Sequence, residues 1–242
     1  MYSAASHRGF RAPTIGDLTE SQEMSVGTVP TPNLGVEKYV QLKAVAKARG
    51  GRFDLQASYG YTHVDGGIMV TPKGELGGGL PVVTKSDSGD GFVSSVDLLG
   101  RVSLADPVSF FGAASWMEGS VDEVVLPQGN KVRSPITPST PPFAQLGPRV
   151  EPGPKGLHLE AQARGALRQD KLSLRDKTDV FRIPPRGTPG YLVFDLRAGA
   201  EVLRDAEISL ALENLTDETC RIHGSGIHEP GFHFVLGLPV RF

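Results

Sequence analysis

The sequence is notable first for what is scarce in it. Among its 242 residues there is one cysteine and one tryptophan, and aromatics make up 7%. A single thiol, Cys220, excludes an internal disulfide framework and a cysteine-cluster metal site. A formal net charge of −2 offers no basic footprint, so nucleic acid is not an expected partner. No apolar run approaches the ~18 residues of a membrane helix. The opening Met1-Tyr2-Ser3-Ala4-Ala5-Ser6-His7-Arg8-Gly9-Phe10 has no apolar secretory core, so an exported reading predicts that the sequence starts partway through a longer chain; the alternative is a cytosolic protein. Nucleophile elbows, phosphate loops and His-Glu-x-x-His pairs are also missing, and Gly77-Gly78-Gly79 lacks the strand-to-helix setting of a phosphate site. Neither an enzyme nor a bound cofactor is expected.

What is present is alternation. The last eleven residues place Phe232, Phe234, Leu236, Leu238, Val240 and Phe242 on one face of a strand, opposite His233, Val235, Gly237, Pro239 and Arg241. Upstream, Leu157, Leu159, Ala161, Ala163, Gly165 and Leu167 oppose His158, Glu160, Gln162, Arg164, Ala166 and Arg168. Similar files run through 192–202, 206–212, 53–61, 40–46 and 92–104. The segments 108–118 and 134–150 also fit strands, although Pro148 suits an edge or a bulge better than a central strand. Glycine (30) and proline (19) gather between these segments, as turn residues do.

About ten strands result, and two all-β architectures accommodate them. A soluble sandwich alternates too, but with strands of ~5–6 residues, whereas a tilted membrane strand needs ~9–11. The apolar files carry no charge, which on a lipid face near the midplane costs roughly 2–4 kcal/mol for Arg or Lys. Connections near Arg49–Arg52, Asp106–Pro107 and Arg204–Asp205 are short, while 9–34, 66–90, 119–141, 169–190 and 214–231 are long. Short turns at one end and long loops at the other fit a transmembrane barrel with its long loops outside. An overall hydrophobic content of 39% is no objection, because alternation averages lipid-facing and lumen-facing residues.

Chemistry-bearing residues are sparse. His223, His228 and His233 recur every five residues near Cys220 and Glu229, but odd spacing sends consecutive strand residues to opposite faces, so they read as a polar loop and one lumen-facing histidine. Asp170, Asp176 and Asp179, with Arg175, Lys177 and Arg182, read as a solvated loop face. The segment from Phe181 to Tyr191 mixes aromatics, arginines and stiff prolines, which nominates Arg182, Arg186 and Tyr191 as contacts for an anionic or metal-chelate ligand. The plainer alternative is that Pro and Gly shape the loop into an interfacial Tyr191.

Three segments resemble one family. Ser6-His7-Arg8-Gly9-Phe10-Arg11-Ala12-Pro13-Thr14-Ile15-Gly16-Asp17-Leu18 resembles a strand-and-loop of TonB-dependent outer-membrane receptors. Pro32-Asn33-Leu34-Gly35-Val36-Glu37-Lys38 resembles the opening of that family's next strand, with Gly35-Val36 in place of Lys-Pro. Glu213-Asn214-Leu215-Thr216-Asp217-Glu218-Thr219-Cys220-Arg221-Ile222-His223-Gly224-Ser225-Gly226 resembles its last loop, with Cys220 where an aromatic is usual. The resemblance implies the C-terminal part of an antiparallel transmembrane β-barrel of about 22 strands, with residues 1–242 as one partial barrel domain. It implies an outer-membrane site and lipid contact, and uptake of a scarce nutrient such as an iron-siderophore or a cobalamin-like compound. It also implies that Phe234, Leu236, Leu238, Val240 and Phe242 form the signal read by the outer-membrane assembly machinery. The family's plug and TonB box have no counterpart in these residues. The remaining barrel and plug are therefore implied partners, the TonB complex acts only through that plug, and the chain alone is not expected to be competent for transport.

Overall fold

Alternating files of apolar and polar side chains become strands once each can find neighbours for its backbone N–H and C=O groups. A computed structural model describes residues 1–18, 27–77, 80–125, 128–136, 140–153, 156–203 and 206–240. Its strands are β1 (Tyr2–Arg11), β2 (Gly27–Thr28), β3 (Glu37–Gly50), β4 (Phe53–Gly77), β5 (Leu80–Ala105), β6 (Val108–Val125), β7 (Asn130–Pro135), β8 (Phe143–Val150), β9 (His158–Ala166), β10 (Tyr191–Leu203), β11 (Ala206–Glu213) and β12 (His233–Gly237). Two short helices, α1 (Ile15–Leu18) and α2 (Leu174–Thr178), sit in connections. All strands share one sheet, in which ten follow the order β1-β3-β4-β5-β6-β8-β9-β10-β11-β12, while β2 pairs with β5 and β7 with β6. Neighbours along the order of ten are antiparallel. A sandwich needs two stacked sheets; the described residues form one.

Register keeps the two faces distinct across the sheet. Leu42 lies opposite Tyr61, Tyr59 opposite Val96, Leu98 opposite Ala114, Ala144 opposite Gly165, and Leu196 opposite Leu212. This apolar face has no cover: Leu98, Leu159 and Leu192 are 50%, 51% and 56% exposed. In water such a surface would drive association. Buried apolar residues lie elsewhere, with Met69 and Val83 in the β4–β5 hairpin and Leu172 and Ile183 in the β9–β10 connection.

The opposite face carries charge in a continuous chain. Arg101 pairs with Glu151; Arg149 meets Glu151 at 3.1 Å and Glu160 at 3.2 Å; Arg197 meets Glu160 at 3.6 Å and Glu213 at 3.2 Å; and His233 stands 3.2 Å from Glu213. Signs alternate from Arg101 to Glu213, so no link leaves two like charges adjacent.

Three expectations about extent need correction. Residues 66–90 are not an open loop: β4 and β5 run on to Gly77 and Leu80, with register shifts after Asp65, Gly67 and Pro72. Tertiary support explains this, because β2 adds to β5, the Val29 N–H donates to Val83 O at 2.8 Å, and Thr31 Oγ1 lies 2.6 Å from Thr84 Oγ1. Likewise 119–141 is largely the β6–β7 hairpin. The terminal strand is shorter than eleven residues. β12 spans His233–Gly237, after which, among the described residues, Val240 makes an isolated bridge to Ala206 and Pro239 O accepts the Glu207 N–H at 3.1 Å. Pro239, which has no N–H to donate, falls in the gap. Arg204–Asp205, Arg241 and Phe242 lie outside the described residues.

Pro148 sits in the interior of the sheet, not at an edge. It lies opposite Phe110 of β6, while on the β9 side the pairing steps from Leu146–Ala163 to Arg149–Glu160, skipping Gly147 and Pro148. The missing donor thus falls where the ladder is interrupted. A Cβ on Gly147 would overlap the carbonyl oxygen of Ala161, which explains why glycine precedes the proline.

At the end opposite the tight turns, α1 is clamped to the sheet. Arg11 donates to Glu37 and, at 3.0 Å, to Asp17; Lys85 reaches Asp17 at 3.2 Å. Burial raises the Asp17 pKa, but the Thr14 N–H and hydroxyl and the Lys85 ammonium outweigh it and hold the carboxyl well below its ordinary range.

Candidate functional site at the loop end

Two connections meet beyond the ends of β9–β12. The first, 167–190, is closed at its neck by a reciprocal backbone pair between Gln169 and Thr188, both bonds 3.0 Å. Inside it, α2 begins with a capping box: the Asp176 N–H donates to Ser173 Oγ and the Ser173 N–H to Asp176 Oδ2, each at 3.0 Å. The helix rests on the β6–β7 hairpin through the Leu174 N–H, which reaches Glu123 at 3.1 Å and Ser134 at 3.3 Å. Gly187 turns the chain at φ 84°, and its N–H donates to Pro184 O at 2.8 Å.

The second connection, 214–232, is organised by one buried side chain. Asn214, only 1% exposed, donates to Glu218 O at 2.9 Å and to Pro230 O at 3.2 Å, and accepts from the Glu218 N–H at 2.9 Å. Asn tolerates the φ of 53° found there, as few other residues do. The Phe232 N–H donates to Asp217 Oδ1 at 2.9 Å, closing the far side, and the Glu229 N–H donates to Cys220 O at 2.9 Å. Cys220 is 3% exposed, and burial pushes its thiol pKa up, with Arg164 opposing.

Between the connections lies a cavity of about 260 Å³ lined by Thr140, Phe143, Thr188, Tyr191, Arg221 and His223, among others. Thr188 Oγ1 and His223 Nδ1 are 2.8 Å apart, tying one connection to the other. Arg221 donates from a terminal nitrogen to His228 Nε2 at 3.2 Å. Arg221 Nε and His223 Nε2 are enclosed without a hydrogen-bond partner. A second cavity, about 440 Å³, shares His223 and is bordered by Arg175, Asp176, Asp179, Arg182 and Ser225.

The three residues expected to contact ligand separate here. Tyr191 lines the smaller cavity. Arg182 borders the larger one and pairs with Asp179. Arg186 lines neither: its carbonyl accepts from Arg168, and its side chain points to solvent. Sequence reasoning does not single out Arg221 and reads His223 only as part of a polar loop, because sequence spacing alone does not place that loop against Thr188. Among the described residues no three His, Cys, Asp or Glu side chains converge as a metal site. Of the residues expected to form an assembly signal, Phe234 and Leu236 lie in β12, and Phe234, Leu236, Leu238 and Val240 are 68%, 66%, 65% and 46% exposed.

One sheet, apolar on one side and charged on the other, with tight turns at one end and elaborated loops at the other, has the fold of part of a large antiparallel transmembrane barrel of the TonB-dependent receptor type. The chain aligns over 100% of its length with 37% of the copper transporter OprC, at a TM-score of 0.75 and 17% identity. It aligns over 100% of its length with 33% of the ferric-catecholate import receptor Fiu from E. coli K12, at 0.68 and 16%. The ferric enterobactin receptor PfeA from Pseudomonas aeruginosa gives 0.71 and 14%, with 38% of that chain covered. The chain therefore spans a little over a third of the length of these structures. No protein-family model matches the sequence, and no curated protein matches it.

Proposed function

We propose that this chain is the C-terminal part of the barrel of a TonB-dependent outer-membrane receptor that takes up a scarce nutrient, such as an iron-siderophore or a cobalamin-like compound. The observation that carries this is the exposed apolar face set back to back with a charged one. Water on both sides penalises the first and lipid on both sides penalises the second, whereas a barrel wall accommodates both. In this reading the apolar file meets outer-membrane lipid, the charge chain from Arg101 to His233 faces the lumen, and the two cavities lie at the outer mouth. The similar structures are copper and ferric-chelate carriers by name, which supports a metal-bearing cargo as the first class to test.

Ligand contact is assigned to Tyr191, Arg221 and His223 at the smaller cavity and to Arg182 at the larger, leaving Arg186 as a loop residue. Arginine and tyrosine suit an anionic chelate with an aromatic or hydroxyl-bearing shell. Both outer strands of the described sheet, β1 and β12, have one edge unpaired. Open edges are not tolerated in the hydrocarbon region, so the working barrel needs further strands, and gated transport needs the plug on which TonB acts. Phe234, Leu236, Leu238, Val240 and Phe242 supply the assembly signal. The test is uptake by cells carrying the full receptor gene, measured with labelled ferric chelates, copper complexes and cobalamin. Energy-dependent uptake of one of these, lost on deletion of the gene, supports the proposal; a chain recovered in the soluble fraction that transports none of them rejects it.

A further inference from the structure

His223 is the titratable side chain that lines both cavities, next to Ile222, which also lines both, and its ring nitrogens have different surroundings. Nδ1 meets Thr188 Oγ1 at 2.8 Å, while Nε2 is enclosed without a partner. Thr188 cannot easily follow a displaced ring. It is 2% exposed, and its backbone is held on both sides by Gln169. The contact therefore joins two fixed bodies, the neck of the 167–190 connection and the 214–232 connection organised by Asn214.

We propose that His223 is a proton-operated latch: when neutral it holds the two connections together over the mouth, and when protonated it releases them. A neutral ring satisfies Thr188 in either tautomer and leaves one nitrogen uncharged in the enclosure. A protonated ring presents two N–H donors and a full charge. The hydroxyl of Thr188 serves one donor, and the second meets no acceptor in this arrangement.

The charges around the ring come from both connections and from β10. Arg175, Asp176, Asp179 and Arg182 border the larger cavity, and Arg221 and Tyr191 the smaller. Three of these are cations. Asp179 is engaged by Arg182, and Asp176 accepts the Ser173 N–H inside the capping box. Burial lowers the His223 pKa, and Asp176 offsets this only in part. With the latched value below the ordinary 6.5, the contact is fully present above 6.5 and is lost as pH falls through the lowered value.

The inference rests on the proposed placement of these connections at the outer mouth, but its test uses no ligand, so it can fail while the uptake reading stands. Cys220, buried three residues before the latch, is a native reporter of opening. The full receptor, purified in detergent, would be labelled with a thiol reagent between about pH 7.5 and pH 5. Rates would be compared with His223→Asn, whose amide can bond Thr188 but does not titrate in that range; the ratio cancels the thiol's own ionisation. The ratio of wild type to variant should rise roughly three- to tenfold toward the acid end. A ratio flat with pH, or rising toward alkali, overturns the latch. If His223→Asn does not fold, amide exchange at Thr188 and His223 in the wild type, corrected for intrinsic rates, separates the same outcomes: acceleration toward acid supports the latch, and a flat profile overturns it. Thr188→Val should exchange fast at every pH.

Discussion

Asp195 of β10 accepts the backbone N–H of Asn214 at 2.9 Å with one oxygen and Arg164 Nε at 2.8 Å with the other. The wall and the last long loop thus meet at a carboxylate that is 1% exposed, and the Leu215 N–H donates to Phe194 O of β10 at 2.8 Å beside it. Removing a buried hydrogen-bonding partner costs the full desolvation of whatever it leaves behind, so this junction should be unforgiving.

Asn214→Ala deletes three hydrogen bonds at a position with φ 53°. A loss of about 2–4 kcal/mol is expected, confined to the 214–232 connection. Hydrogen exchange should accelerate there while β9 and β10 stay protected. Uniform acceleration along the chain would show that the loop is not an independent unit.

Charge on the two faces should be tolerated very differently. Leu98→Arg puts a cation on the apolar face and is expected to cost roughly 2–4 kcal/mol near the bilayer midplane. Gln56→Arg places the same side chain on the polar face of adjacent β4 and should be close to neutral. Heat-modifiable gel mobility of the assembled receptor reads both, and equal behaviour would refute the assignment of faces.

Gly147→Ala tests the irregular seam at Pro148. The new Cβ collides with Ala161 O, which is backbone and cannot swing aside. A penalty of about 1–3 kcal/mol is expected, seen as a lower unfolding midpoint. Gly153→Ala, where no atom lies within 4 Å of a Cβ but φ is 89°, provides a comparison with backbone strain alone.

The clamp on α1 should survive mild acid. Because the Asp17 carboxyl titrates well below its ordinary 3.8, its contribution is present above that value and is lost only as pH falls through the lowered one. Proteolysis after Arg11 should therefore stay slow at about pH 5 in the wild type and become fast at any pH in Asp17→Asn. Fast cleavage of the wild type at that pH would place the Asp17 titration elsewhere.

The faces of the sheet are legible from the sequence because alternation is a local property. From Val40 to Leu212 the apolar files fall on one side, as their spacing predicts. Extent is less legible. The 66–90 segment looks like a loop, with its Gly, Pro and Asp residues, yet it pairs because a distant segment carrying Thr31 braces it. Conversely, 232–242 alternates without fault but loses its ladder around Pro239. At the mouth, Tyr191 stands out by composition, whereas Arg221 and His223 acquire their setting only when two loops 35 residues apart meet at Thr188.

Alternation has a blind spot that the charged wall removes. A strand slid by one residue exposes its mistake at once, since every side chain changes face. A strand slid by two keeps every side chain on its proper face while sitting in the wrong place, and neither lipid nor water can tell the difference. The alternating chain from Arg101 to Glu213 can, because a two-residue slip of β9 or β10 carries Glu160 or Arg197 away from both counterions. It thus acts as a vernier along the wall, correcting the class of error that the pleat itself cannot detect.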